Sequence, residues 1–297
     1  MRPKDDELNP PQNREKWKPA YQKLAEKGEL EERVELAYQK LTECDLCPHS
    51  CGINRLEGER GLCNNPDRAV VHSAQPHYGE EIPLVGGSSW GRGTGGSGII
   101  FFSNCNLRCV FCQNWPTAHE GRGTTVEDEE LAEMMLDLQE RGCHNINLVT
   151  PTHVVPQILR ATRMALNRGL HLPLCYNTGG YESRGTIELL DGIVDIYLAD
   201  LKFMDGEEAR RYTSTGASDY PRRARQAIKT AHRQVGDLVT DSNGIALRGL
   251  MIRHLVMPNE VSGTREHERI SRPVTSQEFA RAVKWAREAG LKTTASD

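Results

Sequence analysis

From residue 97 onward, short apolar runs alternate with amphipathic stretches of about a dozen residues. "GIIFF" (98–102), "NINLV" (145–149), "LPLCYN" (172–177), "VDIYLAD" (194–200) and "GLMIRHLVM" (249–257) are continuous enough in apolar character to predict five buried strands. Between them the period changes to that of a helix. Leu131, Met134, Met135 and Leu138 follow at i, i+3, i+4 and i+7, with Thr125 and Asp128 as a capping pair and Gly142 as the stop. "PQILRATRMALNRG" (156–169), "TIELL" (186–190) and "RRARQAIKTAHRQVG" (222–236) are the next helices, and "SQEFARAVKWAREAG" (276–290) is the last. Apolar strands alternating with helices predict parallel, right-handed βα units. The expected architecture is an α/β fold, a partial (β/α)6-type TIM-like barrel with functional residues at the C-terminal ends of its strands.

Upstream the texture differs. Residues 1–16 are polar and contain Pro3, Pro10 and Pro11, which predicts an arm without a core of its own. Leu30, Val34, Ala37 and Leu41 recur at helical spacing within 17–43, so one helix is expected there. Residues 64–95 read as an irregular connector, and no internal repeat is evident. The expected division is an arm and helix (1–43), a cysteine-rich module with its connector (44–95) and the partial barrel (96–297).

Composition narrows the class. A formal charge of −4 lacks the basic excess of a nucleic-acid binder. There is no run of 18 apolar residues to cross a membrane and no apolar leader at the N-terminus. Nine cysteines, an odd number, do not make a disulfide framework in a chain of 297 residues. Seven of them fall into two tight groups, which reads as metal ligation by reduced thiols in a cytoplasmic setting.

The first group is Cys44, Cys47, Cys51 and Cys63, spaced C-x2-C-x3-C-x11-C. Four soft ligands can close a tetrahedral zinc site or hold an auxiliary iron–sulfur cluster, and His49 could replace one of them. The second is Cys105, Cys109 and Cys112, C-x3-C-x2-C, directly after the first predicted strand of the barrel. Three thiolates on a [4Fe–4S] cube leave one iron open, and a vacancy of that kind marks a catalytic metal site.

The C-x3-C-x2-C loop, with aromatic Phe111 before its third cysteine, resembles the radical S-adenosylmethionine (SAM) superfamily. Through "CDLCPHSCGINRLEGERGLC" (44–63) and "HYGEEIPLVGG" (77–87) the chain resembles the uncharacterised radical SAM proteins related to pyruvate formate-lyase activating enzyme. The resemblance implies that Cys105, Cys109 and Cys112 hold a [4Fe–4S] cluster whose open iron takes the amino and carboxylate groups of SAM. One-electron cleavage would then yield a 5′-deoxyadenosyl radical that abstracts hydrogen, on a protein or peptide if the activase analogy holds. It also implies an electron donor of the flavodoxin or ferredoxin type. Where relatives carry a Gly-Gly-Glu-Pro-like segment this chain has "VTPTH", leaving backbone contacts from Thr150 to Thr152. Asn177 in "YNTGG", with Asp200 and Lys202 in "ADLK", are the remaining residues expected near SAM. Relatives have a further helix and strand where this chain has the polar segment 258–275, so one βα unit is expected to be missing and the edge of strand five bare. Two other functions fit the same cysteines: a catalytically silent iron–sulfur or zinc-binding protein for electron transfer or interaction, and a SAM radical mutase or methylase of small molecules.

Several signals are set aside. "GRGTGG" (91–96) contains G-x-G-x-x-G but precedes a strand rather than following one. Cys143 and Cys175 read as small buried hydrophobes, and the basic face of 222–234 as solvated barrel surface.

Overall fold

The computed structural model describes residues 17–86, 95–254 and 276–292. Eight strands form one sheet in the order β3-β1-β2-β4-β5-β6-β8-β7. Its centre is the five strands expected from the apolar runs: β2 (Ser97–Phe102), β4 (Ile146–Val149), β5 (Leu174–Thr178), β6 (Ile196–Asp200) and β8 (Ala246–Arg253). Each pairs with the next in parallel. The helices between them are α5 (Asp128–Glu140), α6 (Val155–Asn167), α7 (Arg184–Leu189), α8 (Gly206–Tyr212) and α9 (Tyr220–Val235), and α10 (Ser276–Glu288) follows. This is an α/β fold with a mostly parallel sheet. The sheet is not closed, so of the partial-barrel expectation it is the α/β layering that the structure shows.

Three strands were not anticipated. β1 (Ala69–His77) lies within the supposed irregular connector and pairs antiparallel with β2. β3 (Thr124–Val126) pairs antiparallel with β1, which takes Thr125 out of the expected helix cap. The cap of α5 is instead Glu127, whose side chain and that of Glu130 exchange hydrogen bonds with each other's backbone. β7 (Val239–Thr240) pairs antiparallel with Ala246 and Arg248 at the start of β8, on the edge expected to be bare. Whether a βα unit is missing beyond β8 concerns residues outside those described, as do the arm 1–16 and most of "GRGTGG". The single helix expected over 17–43 is two, α1 (Ala20–Glu26) and α2 (Leu30–Gln39), broken where Gly28 adopts φ +77°.

The two faces of the sheet differ. Ile100, Phe102, Ile146, Leu148, Leu174, Tyr176 and Tyr197 point to the helix side and join the largest core, which includes Leu131 and Met135 of α5, Ile158 and Leu159 of α6, and Tyr21 and Val34 of α1 and α2. Fully burying such a side chain is worth about 1.5–3 kcal/mol. The opposite face carries a small apolar cluster of Cys175, Ile196, Leu198 and Ala246 under Leu84 of α3 (Ile82–Val85). Cys143 and Cys175 are both buried, as expected. No helix among the described residues is long and apolar enough to cross a membrane.

Candidate functional site

The three-cysteine loop leaves the C-terminal end of β2 and is stapled at several points. Asn104 and Arg108 take the left-handed conformation, at φ 70° and 48°. For non-glycine residues that costs about 1 kcal/mol or more. The surroundings hold it in place: the Asn104 N–H donates to the Thr117 carbonyl at 2.9 Å, the Val110 N–H to Tyr212 at 3.0 Å, and the Ser214 N–H to Arg108 at 3.0 Å. The Asn106 carboxamide donates to the Tyr181 carbonyl at 2.6 Å.

None of the three thiols is in a disulfide. Burial pushes Cys109 up to about 12, while the Lys202 ammonium pulls the other way and the charges of Cys105 and Cys112 add to the rise. Burial likewise raises Cys105, opposed by backbone N–H donors from Arg108 and Leu107; the Leu107 N–H lies 3.4 Å from its sulfur. The thiols are thus close enough to feel one another's charge, among N–H donors and a cation that favour thiolate. Among the described residues no group of three or more His, Cys, Asp or Glu side chains converges so as to hold a metal ion. A cube carries its ligands on separate irons, whereas a mononuclear zinc needs four within about 2.3 Å of one point. The donor set of this loop fits the cube.

Beside it, at the C-terminal ends of β5, β6 and β8, lies a charge network centred on buried Asp200. Asp200 accepts from Lys202 Nζ through one oxygen and from Arg253 Nε at 2.7 Å through the other. Arg253 also donates to the Asn177 carboxamide oxygen at 3.1 Å. Burial opposes ionisation of Asp200, but the charges of Lys202 and Arg253 outweigh it and hold the carboxyl below its ordinary range. Burial also disfavours the Lys202 ammonium, and Asp200 then Cys109 more than restore it. Glu81 stands 3.6 Å from Arg253, and burial together with the Glu81 carboxylate pushes Glu80 up to about 7.

The other expected residues are placed as follows. Phe111 packs edge-on to Phe203 and Tyr212, with ring centres 6.1 and 6.5 Å away. Thr150 is left-handed at φ 60°, and its N–H is committed to the Asn177 carbonyl at 2.9 Å. Thr152 is buried and donates its hydroxyl to Glu182 at 2.6 Å. Sequence reasoning missed Arg253, Glu80, Glu81 and Glu182. Glu182 is fully buried and accepts from the hydroxyls of Thr152, Thr178 and Tyr176. Burial raises its carboxyl, with those donors opposing. Its signal was the lone acid in "TGGYES", just past an apolar strand.

The four-cysteine module is docked against this site. Cys47 and Cys63 are raised by burial and also by the charges of other cysteines in the group. Between them Arg55, 1% exposed, donates to the His153 carbonyl at 2.8 Å and to Pro66. His49 reaches the carbonyl of Asn106 in the three-cysteine loop.

The radical SAM superfamily model matches residues 99–257, more than half of the chain. This chain belongs to the radical SAM superfamily. An uncharacterised protein of Methanocaldococcus jannaschii is 30% identical over 241 residues, which is 78% of this chain and 62% of that protein, so the chain spans less than two thirds of this relative's length. Superfamily membership supports iron–sulfur and SAM binding in general. The matched span runs from β2 through β8 and contains the C-x3-C-x2-C loop and the Asp200 network; the four-cysteine module lies outside it.

Proposed function

We propose that Cys105, Cys109 and Cys112 hold the [4Fe–4S] cluster and that the network around Asp200 receives the amino-acid end of SAM. What supports this is the juxtaposition of three free thiols with Lys202, whose charge acts on Cys109. These three cysteines would hold the cluster, and the chemistry it would supply there is the one-electron reductive cleavage of SAM. The chain's own residues prepare that place. Asp200 fixes two cations, Lys202 and Arg253, so that a carboxylate ligand meets donors already oriented. Asn177 adds a carboxamide, Thr150 and Thr152 shape the adjoining turn, and Phe111 with Phe203 and Tyr212 excludes water from one side of the loop.

The activase-like reading, hydrogen abstraction from a glycine-containing protein or peptide, rests on the resemblance of residues 44–63 and 77–87. The module at Cys44, Cys47, Cys51 and Cys63 is proposed as a second site, for zinc or an auxiliary cluster, on the strength of its four soft donors; these too do not converge on one point, so zinc binding there would require the side chains to close in.

Anaerobic reconstitution with iron, sulfide and zinc counts tests both sites, with electron resonance before and after adding SAM. Cys105→Ala should remove about four irons, and SAM should alter the resonance of the wild-type protein. Dithionite should then release 5′-deoxyadenosine, carrying deuterium when a deuterated glycine-containing peptide is the true substrate class. A resonance indifferent to SAM would end this reading. A cluster that forms without 5′-deoxyadenosine would instead favour a silent iron–sulfur protein.

A further inference from the structure

Between α9 and α10 lies a groove of about 890 Å3, walled in part by α7. Arg184, Arg222, Arg225, Lys229 and Arg233 line it against a single carboxylate, Glu288. The chain as a whole carries −4, so this positive charge is local and segregated. Arg222, Arg225, Lys229 and Arg233 follow at spacings of three and four, one face of α9 about 16 Å long. Like charges at that spacing weaken a helix. Arg225, Lys229 and Arg233 have no carboxylate partner among the described residues. Lys229 instead lies 5.9 Å from the ring centre of Trp285 on α10.

The groove is joined to the cysteine loop. Tyr220, at the start of α9, accepts from the Lys202 N–H at 2.8 Å, and its hydroxyl lies 2.9 Å from the carbonyls of Gly179 and Asp200. Cys109, Phe203, Tyr212, Tyr220, Ala224, Ile228 and Ala282 form one buried cluster, against which Cys105, Cys112 and Trp285 also pack.

We propose that this groove is the docking site of an acidic one-electron carrier protein. The inference rests on the electron requirement of the reading above. The carrier is oxidised by one electron, this protein is reduced by one, and no bond forms or breaks. Charge complementarity selects an acidic partner. The electron requirement selects a redox protein over a nucleic acid, and the net charge of −4 lacks the basic excess of a nucleic-acid binder. The sequence alone favoured solvated surface here, because it could not place Trp285 and Glu288 opposite α9.

The test is a binding titration of the holoenzyme with a flavodoxin, comparing wild type with Arg225→Glu/Lys229→Glu/Arg233→Glu and with the charge-preserving Arg225→Lys/Arg233→Lys. At about 50 mM salt the reversal should raise Kd at least tenfold, and the lysine variant should bind within about twofold of wild type. At about 0.5 M salt the difference should collapse. Reduction by reduced flavodoxin should slow in parallel, while reduction by dithionite, which needs no docking, stays unchanged. Equal binding by wild type and the reversal overturns the proposal. So does a variant that loses a short RNA probe while holding flavodoxin as before. Absence of 5′-deoxyadenosine under dithionite in the wild type counts against the catalytic reading, whereas docking is read from Kd alone.

Discussion

His49 Nε2 stands 2.8 Å from the carbonyl oxygen of Asn106. A carbonyl can only accept, so the proton sits on Nε2. This bond ties the four-cysteine module to the three-cysteine loop across 57 residues of sequence. Replacing His49 by Ala leaves the Asn106 carbonyl short of a donor, and thermal unfolding should show a loss of about 1–2 kcal/mol. His49→Gln, which can still donate, should recover most of it. No difference between the two variants would mean that the contact holds nothing.

Arg55 makes the second tie. Its guanidinium is 1% exposed and serves carbonyls on both sides of the module boundary, His153 and Pro66. Arg55→Met keeps the bulk and removes every donor. The Pro66 carbonyl keeps the Asn65 carboxamide as a donor at 3.0 Å, so the stranded acceptor is the His153 carbonyl, and chemical denaturation should show a loss of about 1–3 kcal/mol. Limited proteolysis should cut first within residues 44–68 in that variant.

Asp200 balances a largely buried Lys202 and a solvent-accessible Arg253, so its removal differs from theirs. Asp200→Ala strands Lys202, while Arg253 can turn to water, and should cost about 3 kcal/mol. Adding Lys202→Met should return part of that loss even though a further charge has gone. A double-mutant cycle on thermal stability checks the sign; strict additivity would show that the pair does not interact.

His153 gives a pH dependence. Burial holds it down at about 4, while Nε2 donates to the Ser103 carbonyl at 2.7 Å. Its Nδ1 is buried without a partner. The unfolded chain therefore binds a proton that the folded chain refuses. Stability from this residue is intact above the ordinary histidine value of about 6.5 and falls as pH drops from there toward 4, by at most about 3 kcal/mol. Buried Asp195, raised to about 7, acts in the opposite sense over much of the same interval, so the wild-type profile alone is ambiguous. The difference between wild type and His153→Gln isolates the histidine: wild type should lose ground to the variant on acidification. A constant difference from pH 7 to pH 4 would reject this assignment.

The five parallel strands and their helices were legible because each is fixed by local pattern, an apolar run or a helical stripe. β1 was not, because its "HSAQPH" half is polar and broken by Pro76; only pairing with β2 makes it a strand. Thr125 fitted a cap by spacing but was claimed by the ladder with β1, and the neighbouring glutamates capped α5 instead. Asp200 and Lys202 were readable as a close pair. Arg253, 53 residues further on, was not, because it reaches Asp200 only through the parallel pairing of β6 and β8.

The sequence by itself determined the chemistry on offer: three thiols in one short loop, four more in another, and a βα alternation that sets the loop at a strand's end. Tertiary structure decided what surrounds them. It brought a histidine of the module onto the loop and an arginine of the module onto the turn after β4, and gathered Asn177, Asp200, Lys202 and Arg253 from the ends of three strands into one network. Thiol spacing is a local property of the chain. The partners of a buried charge are chosen by folding, because desolvation makes an unpaired charge too costly wherever the sheet happens to place it.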